Sequence, residues 1–265
     1  MPRVLIVAGA FLTMTPALIG MLWALERLRL PGAPRLIVAY YRLLRGLLGI
    51  RVRVVGEPAR DHPALIVANH VSWADIVVIS SLAPVAFVAK REVAGWPLIG
   101  SAARAQRTIF VDRARRHQTA AAVAEIVQRL NEGTPVVLFA EGTSSDGNRV
   151  LPFRSALLGA ARDALAQTAP TQRILVQPLS ICYTRSQGLP MGRRRRPLVA
   201  WYGDLDFVPH LRNFIRRGAV DAVVSWGDPV AYDATMERKT LVKSLENAVR
   251  GLTAEALRER MPPAA

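Results

Sequence analysis

Five apolar residues in a row, Ala64-Leu65-Ile66-Val67-Ala68, run into Asn69-His70-Val71-Ser72-Trp73-Ala74-Asp75 before apolar residues resume at Ile76-Val77-Val78-Ile79. The pattern specifies a buried strand, a polar turn and a helix, with Ser72 as the N-cap candidate. His70 then lies in the turn. Residues five apart do not share a face of a continuous helix, so His70 and Asp75 meet only if the chain bends between them. With that bend, Asp75 on the first helical turn accepts a hydrogen bond from one imidazole nitrogen and leaves the other as an acceptor. Such a histidine is a general base aimed at a hydroxyl. The bland alternative is a capping histidine beside a first-turn aspartate favoured by the helix dipole, and further site residues must decide between the two.

Around this unit, strands and helices alternate with short connections, which implies an α/β fold on a largely parallel or mixed central sheet flanked by helices. Strands are expected near 51–55, 64–68, 85–89, 107–111, 135–139, 173–177, 179–184, 198–203 and 220–226, and helices near 73–82, 92–104, 115–131, 154–167 and 236–258. The last helix carries Leu241, Val242, Leu245, Val249 and Leu252 at helical spacing, the pattern of a packing helix without a chemical role. A chain of 265 residues has room for one sizeable core. Residues 51–265 are therefore expected to form a single catalytic domain, preceded over 1–50 by membrane-associating helices.

That N-terminal expectation rests on Val4 to Leu25, 22 residues without a charge, long enough as a helix to cross a hydrocarbon core. The run is long for a signal peptide and is followed by arginines, so it is expected to remain attached. Arg27, Arg29, Arg35, Arg42 and Arg45 place the body of the protein on the cytoplasmic side of the inner membrane under the positive-inside rule. Pro16 and Gly20 leave open a kinked segment that enters only one leaflet. Residues 36–50 are apolar on most sides, with Arg42 and Arg45 on one face. They suit a helix at a membrane surface, or a core helix with snorkelling arginines.

The formal charge of +15 and pI near 11.3 call for an acidic partner: nucleic acid, an anionic membrane surface or an acidic carrier protein. Nucleic acid is disfavoured, because the basic cluster Arg193-Arg194-Arg195-Arg196 has no interleaved aromatic residues. One cysteine, Cys182, rules out an internal disulfide, and the scattered His62, His70, His117 and His210 do not form a metal site by spacing. No metal and no cofactor is expected.

Three further stretches carry candidate chemistry. Phe139-Ala140-Glu141-Gly142-Thr143 follows an apolar strand, so Glu141 and Thr143 emerge at a strand's C-terminal edge while Gly142 allows close backbone approach; a plain solvent-facing turn has the same composition. Arg107 and Arg113 flank Thr108-Ile109-Phe110-Val111, where an arginine fork suits a phosphate or carboxylate. Pro178, late in a buried strand, fixes the backbone. Trp96 beside Pro97 suits an interfacial anchor.

Taken together these stretches resemble the 1-acylglycerol-3-phosphate O-acyltransferases, the PlsC-like glycerolipid acyltransferases. Their four motifs are matched in order by Asn69 to Asp75, by Thr108-Ile109-Phe110-Val111-Asp112-Arg113, by Phe139 to Thr143 and by Val176-Gln177-Pro178-Leu179, over about residues 50 to 230. The resemblance implies that His70 and Asp75 are catalytic and that Glu141, Gly142, Thr143, Arg113 and, less directly, Arg107 bind the acceptor. Asn69 and Pro178 would shape the acyl pocket or support the structure. It implies direct transfer from an acyl thioester, of acyl carrier protein or coenzyme A, to a lysolipid hydroxyl, and the absence of a Gly-x-Ser-x-Gly elbow fits a mechanism without an acyl-enzyme. Two positions depart from the pattern: Ala140 stands where proline is usual, and Ser144 where many members have arginine. The stretch 141–153, with 188–192 and 197–204, is similar to the lyso-ornithine lipid acyltransferases, whose acceptor carries an amine and a carboxylate in place of a phosphate. Asp146 is a candidate partner for the amine. The alternatives are lysophosphatidic acid as acceptor, and a non-catalytic lipid-binding scaffold, which would have no need of His70, Asp75, Glu141 and Arg113 together.

Overall fold

The computed structural model describes residues 2–59, 64–112, 116–154, 175–231 and 237–258. Its helices are α1 (Pro2–Arg27), α2 (Ala33–Leu48), α3 (Ala74–Ser80), α4 (Ile99–Ala105), α5 (Arg116–Asn131), α6 (Phe207–Arg217) and α7 (Arg238–Arg258). Its strands are β1 (Ile50–Val55), β2 (Ala64–Ala68), β3 (Ala86–Lys90), β4 (Ile109–Val111), β5 (Val136–Phe139), β6 (Leu175–Ser186), β7 (Leu189–Pro190), β8 (Val220–Trp226) and β9 (Val230–Ala231).

All five residues of β2 are buried, and the alternation of side chains across a strand shows why. Ala64, Ile66 and Ala68 enter a core shared with α1, α2, α3 and α6, while Leu65 and Val67 enter another shared with α5 and α7. A strand covered on both faces has to be apolar throughout. The sheet order is β1-β8-β6-β2-β5-β3-β4, which puts β2 at its centre. Strands β6, β2, β5, β3 and β4 run parallel, and β8 is antiparallel to β6, so the sheet is mixed. The C-terminal ends of β2 and β5 are therefore side by side, and the residues that follow them, His70 and Glu141, meet there.

Several elements differ from expectation. Instead of separate strands at 173–177 and 179–184, β6 is one strand that runs through Pro178. Pro178 is tolerated because it lies where the neighbouring ladder changes strand: Leu179 pairs with Trp226 of β8, Val176 with Val230 of β9, and between them the Pro178 carbonyl accepts the Gly227 N–H at 2.9 Å. Residues 198–203 are not a strand but a 3-10 turn, Arg196–Leu198, leading into a loop. The helix expected over 92–104 is split into a 3-10 turn, Arg91–Gly95, and α4, because Trp96 before Pro97 is held extended. Trp96 is half-buried against Trp201 and Phe207 instead of standing free. The helix expected at 154–167 lies outside the described residues.

Helix α1 is continuous through Pro16 and is long and apolar enough to cross a membrane. One face packs on the domain, with Val7, Leu18 and Leu22 buried, Thr15 Oγ1 2.7 Å from the Tyr40 hydroxyl, and Arg3 Nη2 donating to the Leu48 carbonyl at 3.1 Å. The opposite face exposes Leu5, Ile6, Leu12 and Trp23. In α2 the buried face is Tyr40, Tyr41, Leu44 and Leu48, and Arg42 Nε donates to the Ser81 carbonyl at 3.1 Å, which is the behaviour of a packed helix with a snorkelling arginine.

Candidate active site

The bend that His70 and Asp75 require is present, and the aspartate itself holds it. Asp75 Oδ2 accepts the backbone N–H of Val71 at 2.7 Å and of Ser72 at 3.0 Å, and lies 2.8 Å from His70 Nδ1. A carboxylate that already takes two amide donors can only accept from the ring as well, so Nδ1 carries the hydrogen and Nε2 is left with its lone pair. The expected cap, Ser72, does not act as one: the N-cap position is Trp73 with no side-chain bond, and the Ser72 hydroxyl is buried without a partner among the described residues. Asp75 performs the capping from inside the helix because its carboxylate folds back over the turn.

The other oxygen of Asp75 is held by Tyr183, whose hydroxyl donates to Oδ1 at 2.8 Å from β6. Burial, with the Asp75 charge, pushes the phenol well above its ordinary pKa, so it stays a donor. The imidazole stacks on Phe139 with ring centroids 4.0 Å apart, and Phe139 stacks on Phe87 behind it. The Asp75 side chain is fully buried while the His70 side chain keeps 19% exposure, so the pair opens to substrate only at the histidine. Tyr183 escaped the sequence reading because 108 residues separate it from Asp75; the one signal was a tyrosine in a buried strand, since a buried phenol needs a partner.

Asn69 has a structural task. Its side chain donates to the Ile181 carbonyl at 2.9 Å and accepts the Ile181 N–H at 2.8 Å, which pins the end of β2 to β6. Pro178 likewise serves the sheet. Ala140 explains its own departure from the pattern, because its N–H extends the ladder to Ala68 at 3.1 Å, a bond that proline lacks.

Glu141 is 2% exposed and its Oε1 accepts the backbone N–H of His70 at 3.1 Å, while Oε2 is buried without a partner among the described residues. Burial raises its pKa to about 8, against the lowering effect of the His70 and Leu151 amides. A raised pKa means that the folded protein holds a proton which the unfolded chain releases near pH 4.5. The resulting stabilisation is complete below pH 4.5 and is lost as the pH rises through about 8. Relative to Glu141→Gln, wild-type protein is expected to lose stability between pH 5 and 8.5, by up to about 5 kcal/mol. Thermal melts of both proteins in detergent at the two pH values check this, and parallel behaviour would show that the carboxyl ionises normally.

Gly142 makes the turn after Glu141 with φ +73°, and Thr143 is exposed beside it. Arg113 lies outside the described residues. Arg107 is not brought to the site: it precedes β4, at the strand end opposite the catalytic edge, and its guanidinium pairs with Glu132 just after α5. The loop after Thr143 is stitched to the catalytic turn, with Ser145 N–H on the His70 carbonyl at 2.8 Å and Ser144 Oγ on the Trp201 carbonyl at 2.5 Å, while Trp201 N–H reaches the Val71 carbonyl at 2.9 Å. Each Asp146 oxygen accepts one hydrogen bond from Asn148, at 3.0 Å from its backbone and side-chain nitrogens.

The chain belongs to the acyltransferase family, whose profile matches residues 51–182, a span that contains the buried carboxylate and the histidine it orients. It is an enzyme. It is 45% identical over 263 residues, 99% of this chain and 98% of the relative, to the lyso-ornithine lipid O-acyltransferase of Brucella abortus. To the protein of the same name from Rhizobium meliloti it is 46% identical over 85% of this chain and 77% of the relative. The 1-acyl-sn-glycerol-3-phosphate acyltransferase of Neisseria meningitidis matches at 38% identity over 43% of this chain and 45% of the relative. The fold is that of the crystal structure of PlsC from Thermotoga maritima, with a TM-score of 0.67, 22% identity and coverage of 97% of this chain and 98% of that one.

Proposed function

We propose that this protein is a membrane-bound enzyme that transfers a fatty acyl group from an acyl thioester, carried by acyl carrier protein or coenzyme A, to the hydroxyl of lyso-ornithine lipid. The observation that carries the chemistry is the His70–Asp75 pair, with Nδ1 committed to a buried carboxylate and the imidazole open on its other side. Nε2 takes the proton from the acceptor hydroxyl as its oxygen attacks the thioester carbonyl. The tetrahedral adduct then expels the thiolate, and His70 returns the proton to sulfur. No covalent enzyme intermediate is needed, so the protein's contribution is alignment of the two substrates and a base in the right tautomer. The near full-length similarity to proteins bearing the lyso-ornithine activity favours that acceptor over lysophosphatidic acid, because the Neisseria 1-acyl-sn-glycerol-3-phosphate acyltransferases align in sequence over only 43% of the chain.

Membrane attachment in this reading comes from α1, whose inner face is fixed to the domain along its length and whose outer face is apolar. A helix so docked would enter one leaflet and hold the catalytic edge at the surface of the cytoplasmic side of the inner membrane, where the basic surface meets anionic lipid or an acidic donor. The test is acyl transfer by detergent-solubilised protein from an acyl carrier protein donor and from a coenzyme A donor, with lyso-ornithine lipid and lysophosphatidic acid offered in parallel. Turnover of lyso-ornithine lipid is the expected result. Turnover of lysophosphatidic acid alone would overturn the acceptor assignment.

A further inference from the structure

Four consecutive arginines follow β7, and Arg193, Arg194 and Arg195 face solvent. Arg196 turns inward. Its Nη1 donates to Asn148 Oδ1 at 3.0 Å, and Asn148 is held in turn by Asp146 and by the Arg193 carbonyl, so the guanidinium is tied to the loop that follows Glu141. Its Nε is buried and has no acceptor among the described residues. A buried N–H of a permanent cation is costly to leave unpaired. With Nη1 committed to Asn148, the Nε/Nη2 edge remains, and that edge matches the two oxygens of a carboxylate.

The position is next to the catalytic turn. A Cβ added to Gly147 would lie 3.1 Å from Val71 Cγ1 and 3.8 Å from Arg196 Cβ, so only a glycine separates Arg196 from the residue after His70. On the other side, Trp201 and Ser145 bond directly to the Val71 and His70 carbonyls, which fixes both loops relative to the base. Ser144 cannot supply a charge here, and its hydroxyl is already engaged by Trp201. Arg196 is a cation that Asn148 ties to this loop from a different part of the chain.

We propose that Arg196 is the residue that reads the acceptor's head group: its Nε edge pairs with the carboxylate of an amino-acid lipid whose hydroxyl is presented to His70. This rests on the lyso-ornithine reading above and adds the group that distinguishes such a lipid from a neutral one. The test measures kcat and KM of the full-length protein in detergent, at saturating donor, for lyso-ornithine lipid and for its carboxyl methyl ester, with wild type, Arg196→Gln and Arg196→Lys. Wild type is expected to prefer the free acid by about tenfold to a hundredfold in kcat/KM, the range of a charge-assisted hydrogen-bonded pair. In Arg196→Gln that preference collapses toward unity, mainly through a higher KM for the acid. Lysine restores only part of it, because a point charge lacks the planar fork. Equal loss on both acceptors, or an undiminished preference in the glutamine variant, overturns the inference while leaving the lyso-ornithine reading intact. Wild-type protein that turns over neither acceptor overturns that reading and the inference with it.

Discussion

Replacement of His70 by alanine is expected to lower acyl transfer by about a thousandfold or more with little change in stability. The two effects separate because of where the ring sits. Its chemistry is confined to one open nitrogen, and among the described residues the neighbouring carboxyl groups of Asp75 and Glu141 are buried. Its structural contacts are one stacked face on Phe139 and one hydrogen bond to Asp75, on a side chain that keeps partial exposure. The backbone bonds that fix the turn do not involve the ring: Glu141 holds the His70 N–H, and the His70 carbonyl holds Ser145. Single-turnover acylation of the acceptor, measured beside a thermal melt, checks both parts. Residual activity within tenfold of wild type would remove His70 from the role of base.

The second large effect is expected at Asp75, and there activity and stability fall together. Four donors converge on this fully buried carboxylate: His70 Nδ1, the Val71 and Ser72 amides, and the Tyr183 hydroxyl. Alanine leaves all of them without an acceptor, at an expected cost of about 3–5 kcal/mol, and frees the imidazole to change tautomer. Asparagine tests the charge alone. Its oxygen can keep the three donors on the Oδ2 side while its NH2 group faces Tyr183, whose hydroxyl can rotate and accept. Asp75→Asn is therefore expected to lose only about 1–2 kcal/mol but still about a hundredfold or more in kcat, because the negative charge that stabilises the imidazolium is gone. Combining Asp75→Asn with Tyr183→Phe should cost less than the two single changes added together, because Tyr183→Phe alone deprives a buried carboxylate of a donor whereas in the double variant only a neutral amide is left unpaired. A strictly additive double variant would show that Tyr183 does not hold the carboxylate in the way the 2.8 Å contact indicates.

Much of the His70–Asp75 contact was legible without coordinates, because it is local. A strand that is apolar at every position must lie inside a sheet, the polar residues after it must emerge at the strand's end, and a His-x4-Asp spacing can close only over a tight turn. The same logic placed Glu141 at the end of β5. It failed for Arg107, which has the same residue type and a similar neighbourhood to a binding arginine but lies at the wrong end of β4. A spacing along the chain does not say which end of a parallel strand faces the site. The split of the 92–104 helix was signalled by Pro97, whereas the single strand through Pro178 was not, since whether a proline interrupts a ladder depends on the strand beside it.

By itself the sequence determined the fold class, the turn that carries His70, the apolar N-terminal helix and membership of an acyltransferase family, because each rests on residues close together in the chain or on motifs in a set order. Only the tertiary structure decided what surrounds the base. Tyr183 reaches Asp75 from 108 residues away, Asn69 closes on Ile181 from 112, and Arg196 meets Asn148 from 48. The structure also decided that α1 shares its inner face with the catalytic core. These contacts depend on the order of strands in the sheet and on how loops pack over its edge, and no local periodicity encodes either. Hydrogen-bond partners of buried polar groups are chosen by proximity in space, so a chain can announce that such a group needs a partner while leaving the partner's identity to the fold.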